Sequence, residues 1–145
     1  CDEAQLQPNG VELTLDELAT WQGAGRLGRE DDDRLIPPST PLPFDNNGWI
    51  HLPPAPYLMT FREKVNIPGD LCALARPRSS LLRMGVSIAT ALWDSGYSGR
   101  SKAMLDVRNP AGVHLRRGAR VIQLVFFRLP SPAQRLYQGR YQGER

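Results

Sequence analysis

Cysteine and histidine are scarce, with two of each in 145 residues. Cys1 and Cys72 are too few for a disulfide framework, so they read as free thiols in a cytoplasmic protein. His51 and His114 lie far apart in the sequence and beside no cysteine. A zinc site with His and Cys spacing therefore finds no support, and no metal ligand is assigned. Long apolar runs are missing too. None approaches the roughly 20 residues that cross a bilayer, so no membrane partner is expected. No signal-peptide pattern is visible, although the chain opens on Cys1 rather than on Met. Acid is short in the second half. From Arg76 to Arg145 there are 13 Lys and Arg against three acids, whereas the first 75 residues hold 5 basic and 12 acidic residues. A basic half suits an anionic partner such as a nucleotide polyphosphate or a nucleic acid, or else the acidic half of its own fold. Nucleic acid ranks last, because no strand interleaves aromatic and basic residues.

What is present is a chain 41% hydrophobic, enough to bury one core, and it reads as a single domain over residues 1–145. Val11, Leu13 and Leu15 alternate with Glu12, Thr14 and Asp16, a period of two that predicts a strand. Residues 22–48 are rich in Gly, Pro and acids and read as a long loop with short extended pieces. Two short strands are expected in Trp49–Pro68, separated by a Pro-Pro-Ala-Pro turn. The segment Gly69–Gly85 is the helical candidate, in two pieces broken at Pro77. Strands follow at Val86–Trp93, Ser101–Asn109 and Ala119–Leu129, and residues 130–145 read as a mobile tail. Many short strands between Gly and Pro turns indicate an all-β barrel or sandwich.

One stretch carries chemistry: "RSSLLRMGVSIATALWDSGYSGR", Arg78 to Arg100. A strand that ends on Asp94 and turns on Gly96 and Gly99 brings a carboxylate and the Tyr97 ring to a sheet rim. Such a carboxylate can act as a general base on water, and such a ring can lie against a sugar face. Arg78, Ser79 and Ser80 offer a guanidinium fork and two hydroxyls, a phosphate-binding combination. Each piece alone also reads as an ordinary turn or helix cap.

Taken in order, "QPNGVELTL", "RPRSSLLRMG", "ALWDSGYSGR", "GARVIQLVFF" and "YQGRYQ" resemble the dUTPase / dCTP deaminase family over Gln5 to Gln142. The wording is nearest a deaminase-like subgroup of dUTPases. The resemblance implies an all-β distorted jelly-roll, a β-clip barrel of the dUTPase type, with one short helix near residues 70–84. It implies a homotrimer with active sites at subunit interfaces, and dUTP complexed with Mg²⁺ as substrate. Asp94 would activate the attacking water, and Tyr97 would pack on the deoxyribose and exclude a 2′-hydroxyl. The strand around Ala91 would read the base, with Gly96 beside it. Arg78, Ser79 and Ser80 would meet the phosphates, and Gln123 the α-phosphate or the water. Arg83 would reach the active site, and Arg140, Tyr141 and Gln142 would serve the phosphate tail.

The expected activity is hydrolysis of dUTP to dUMP and pyrophosphate. The alternatives are dCTP deamination, alone or with that hydrolysis, and a non-catalytic dNTP-binding role. Deamination in this family implies a glutamate in the strand "SKAMLDVRN", which has none; its Asp106 is expected to be a solvated surface charge. Glu12 stands where the family carries aspartate, which bears on the shell of metal-bound water.

Overall fold

A computed structural model describes residues 2–144. Among them no helix is long and apolar enough to cross a membrane. In chain order the strands begin with β1 (Leu6–Gln7), β2 (Gly10–Trp21), β3 (Ser39–Pro41), β4 (Trp49–Leu52), β5 (Ala55–Phe61), β6 (Val65–Asn66) and β7 (Leu71–Pro77). The helix α1 (Ser79–Arg83) follows, then β8 (Val86–Ala89), β9 (Ser98–Gly99), β10 (Lys102–Val107), β11 (Val113–Arg116) and β12 (Arg120–Arg128). The all-β expectation with one short helix holds.

The main sheet runs β7-β12-β2-β5-β10-β8, with β1 and β3 also pairing with β2. Its pairings are antiparallel. The two ends of this sheet are joined. Past β8 the chain crosses to β7, where Trp93 and Ala73 exchange backbone hydrogen bonds at 3.0 and 3.1 Å. The sheet thus becomes a nearly closed barrel around Leu15, Leu18, Met59, Phe61, Leu105, Val121 and Ile122, all buried. Burying one such large side chain stabilises the fold by roughly 1.5–3 kcal/mol relative to leaving it in water.

Two sequence expectations need correction. The segment Leu71–Pro77 is strand β7, not helix. So short a helix would be marginal by itself, whereas β12 offers these residues a ladder from Ile122↔Pro77 to Arg128↔Leu71. As an end residue of an edge strand, Pro77 tolerates its missing N–H. Within Gly69–Gly85, only Ser79–Arg83 is helical. The strand expected over Val86–Trp93 stops at Ala89, where its β10 partner has reached Met104. Thr90–Leu92 then leave the ladder to reach β7.

The alternation read in β2 is also incomplete, because Glu12 and Thr14 are as buried as their apolar neighbours. Each is held by a partner. Thr14 N and Oγ1 donate to Glu63 at 2.8 and 2.7 Å. Glu12 is held by arginines, as described below.

Candidate active site

The segment Trp93–Gly99 is built as a rim. Tyr97 N donates to Asp94 O at 3.1 Å, closing a turn with Gly96 at φ +85°. That φ suits glycine, and a Cβ there would meet Leu136 Cβ at 2.7 Å. Ile67 anchors the turn from the other side: Gly96 N donates to Ile67 O, and Ile67 N to Tyr97 O. The side chains are fixed in series. Trp93 Nε1 donates to Ser101 Oγ at 2.6 Å, and Ser101 Oγ donates to Tyr97 Oη at 3.2 Å. Burial pushes the Tyr97 phenol above its ordinary value of 10.0, against the opposing pull of the Ser101 hydrogen bond. Tyr97 is therefore neutral at physiological pH.

This rim borders a cavity of about 470 Å³. Ala91, Leu92, Trp93, Asp94 and Tyr97 form one wall, and Tyr137, Tyr141 and Glu144 cap it. Asp94 is exposed, and among the described residues its carboxylate has no ion-pair or hydrogen-bond partner. Ala91 and Leu92 make no backbone hydrogen bond to another described residue. The cavity thus combines an unpaired carboxylate, an aromatic face and two peptide edges free to bond a planar polar ring. Among the described residues no group of three His, Cys, Asp or Glu could hold a metal. A divalent cation here would arrive on a polyphosphate and keep most of its own waters.

Arg78, Ser79, Ser80, Arg83 and Gln123 lie elsewhere, and none of them lines this cavity. Arg78 stands at the N-cap of α1, before Ser79 and Ser80. Gln123 pairs with Arg76 and with Glu12 across the β7-β12-β2 ladders. Glu12 lies between two arginines: Arg78 Nε is 2.6 Å from its Oε1, and Arg120 Nη1 is 2.9 Å from its Oε2. Neither contact has hydrogen-bond geometry and the buried Oε2 has no hydrogen-bond partner, so the carboxylate is held by charge. Glu12 is thus an arginine anchor. Arg83 Nη1 donates to Ser79 O at 3.2 Å, across the single turn of α1. Asp106 lies on the outer face of β10 beside Arg108 Nε at 2.6 Å, and it does not line the cavity.

The segment 130–144, read as a mobile tail, runs back over the rim. Gln142 Nε2 donates to Gly96 O, and Ser98 N donates to Gln142 Oε1, both at 2.9 Å. Tyr137 meets Tyr97 edge-on at 5.6 Å. Glu144 O accepts from Arg100 N, and its carboxylate lies 3.2 Å from Lys102 Nζ. Arg140 is exposed. Sequence reasoning missed Lys102, and it missed the wall formed by Trp21, Ile36, Pro37 and Ser39. The only signal for that wall was the apolar Leu35-Ile36 pair ending an acidic loop. The acids Glu30–Asp33 are exposed and stay outside.

A family model described as dCTP deaminase-like matches residues 1–129. A probable deoxyuridine 5′-triphosphate nucleotidohydrolase of Methanosarcina mazei is 50% identical over 142 residues, spanning 98% of this chain and 83% of that protein. One of the same description from Archaeoglobus fulgidus is 42% identical, with the same coverage. Among solved structures, the 2′-deoxycytidine 5′-triphosphate deaminase of Agrobacterium tumefaciens superposes with a TM-score of 0.60. It does so over 87% of this chain and 40% of that one, at 23% identity. The native EIAV dUTPase gives 0.51 over 85% and 98%, at 19% identity. At such identities these two structures speak for the fold.

Proposed function

Because the chain belongs to the dCTP deaminase-like family, we propose that it is a dUTP diphosphatase, converting dUTP and water to dUMP and pyrophosphate in the cytoplasm. The observation that carries this reading is the unpaired Asp94 carboxylate on the cavity rim, beside Tyr97 and the free peptide edges of Ala91 and Leu92. Those edges bond the uracil ring. The Tyr97 ring, fixed through Ser101, packs against the deoxyribose and leaves no space for a 2′-hydroxyl. Asp94 takes a proton from a water attacking the α-phosphorus; the bond to the bridging oxygen breaks, and pyrophosphate leaves. Mg²⁺, carried by the substrate, supplies neutralisation of the triphosphate charge.

Arg78, Ser79, Ser80 and Gln123 would then serve the phosphates from a neighbouring copy, since they lie outside the cavity of their own chain. An apolar stripe supports such assembly. By register, Leu74 and Val125 share one face of the β7-β12 edge with Cys72 and Phe127. Leu74 and Phe127 are each about half exposed. We expect Leu74→Glu with Phe127→Glu to turn a sedimenting homotrimer into a folded monomer that hydrolyses no dUTP. A wild-type chain that sediments as a monomer and still hydrolyses dUTP would overturn the shared site.

Incubation with Mg²⁺ and dUTP, UTP or dCTP tests the activity. The expected products are dUMP and pyrophosphate from dUTP, with little turnover of UTP and no ammonia from dCTP. Ammonia from dCTP would make the deaminase reading the better one, and equal rates on UTP would remove the role given to Tyr97.

A further inference from the structure

The chain has only two histidines, and the fold brings them together. His51 on β4 and His114 on β11 are direct partners in an antiparallel ladder. Their rings stack with centroids 4.6 Å apart and planes tilted by 35°. Both are exposed, on a two-stranded sheet separate from the main one. We propose that this pair is a surface site for a transition-metal ion of the Zn²⁺, Ni²⁺ or Cu²⁺ class, independent of the nucleotide cavity.

Three observations support the site. The first is separation. Two imidazoles that share one ion at about 2.0–2.1 Å each need ring nitrogens roughly 3–3.5 Å apart. The rings, with centroids 4.6 Å apart on directly paired residues, are near enough for side-chain rotation to bring one nitrogen of each to a shared ion. The second is the tautomer. His51 Nε2 lies 3.1 Å from Ala111 O. A carbonyl only accepts, so Nε2 is the donor to it, and Nδ1 is the ring nitrogen left for a metal when the imidazole is neutral. A metal-binding imidazole commonly donates its other N–H to just such a backbone carbonyl, which orients the ring and raises its basicity. That edge of the ring is held close, since a Cβ on Gly112 would lie 2.6 Å from Nε2. The third is the surroundings. The histidines border a recess of about 430 Å³ with Pro43, Phe44, Asp45, Trp49 and Ile50. Asp45 brings negative charge, and its Oδ1 already accepts from Trp49 N and Asn47 N at 2.7 and 2.9 Å. Among the described residues there is no group of three ligands. Water therefore completes the shell, and the site suits ions that prefer imidazole over the oxygen ligands of Mg²⁺.

The test is a calorimetric titration of the full chain with Ni²⁺, Zn²⁺ and Mg²⁺, beside a Cu²⁺ electron paramagnetic resonance spectrum. We expect one equivalent of Ni²⁺ or Zn²⁺ per chain, no heat from Mg²⁺, and a copper signal split by two nitrogens. His51→Gln or His114→Gln should each lower the affinity at least tenfold, and the double variant should abolish binding. Turnover of dUTP should stay unchanged in all three. Absence of binding by the wild type, or an unchanged isotherm in the double variant, would overturn the site. Glutamine keeps a polar, exposed side chain, and retained dUTP turnover reports that each variant is folded.

Discussion

Asp94→Asn should leave assembly and dUTP binding near normal while turnover falls by about 10²–10⁴, the usual loss for a missing general base. The substitution keeps the shape and one hydrogen-bonding oxygen. It changes no ion pair, because Asp94 has none among the described residues. Its backbone carbonyl still accepts from Tyr97 N, so the turn that sets the rim is preserved. Binding and chemistry should therefore separate, with the Kd for a non-hydrolysable dUTP analogue unchanged and kcat reduced. Asp106→Asn is the control. Its carboxylate is paired with Arg108 on the outer face of β10, so hydrolysis should continue. The assignment fails if Asp106→Asn abolishes turnover and Asp94→Asn does not.

The second large effect concerns stability. Replacing both Arg78 and Arg120 by Met leaves the Glu12 carboxylate buried without a countercharge. Stranding a buried ion typically costs about 3–5 kcal/mol. For a chain of this size that is a fall in Tm of roughly 6–20 °C. Adding Glu12→Gln to the same protein should recover much of the loss, because a neutral amide is far cheaper to bury than an unpaired charge. Thermal unfolding of the double and triple variants measures this directly. If the triple variant is no more stable than the double, the arginines matter through packing rather than charge. Glu12→Gln alone should cost less, since both arginines are about one-third exposed and water can reach them.

The β-rich character was legible because period-two alternation survives in single segments. Lys102–Val107, inside the strand expected at Ser101–Asn109, buries alternate residues as that pattern demands, whereas the four-residue strand Val113–Arg116 was not foreseen. What the pattern cannot carry is partnership. Residues 71–77 carry no clean alternation, and the ladder with β12 decides that they are strand. Asp94 and Tyr97 were legible because three residues and a glycine fix their geometry locally. The wall built by Ile36 and Pro37 was not, since it comes from the far end of a long loop. Nor was the meeting of His51 and His114, because nothing in either segment names the other as its neighbour.

The joint between Ala73 and Trp93 makes the barrel unequal around its circumference. Elsewhere the strands are laced by ladders several residues long; here one reciprocal pair closes the ring. Local opening costs least where few backbone bonds must break. Amides at this seam should therefore exchange with solvent sooner than those of β2 and β5, which hydrogen-exchange mass spectrometry would read. The seam is also the cavity wall, since Trp93 and its neighbours Ala91 and Leu92 line it. A ligand bonded to those peptides would act as a clasp, tightening the fold where fewest backbone bonds hold it.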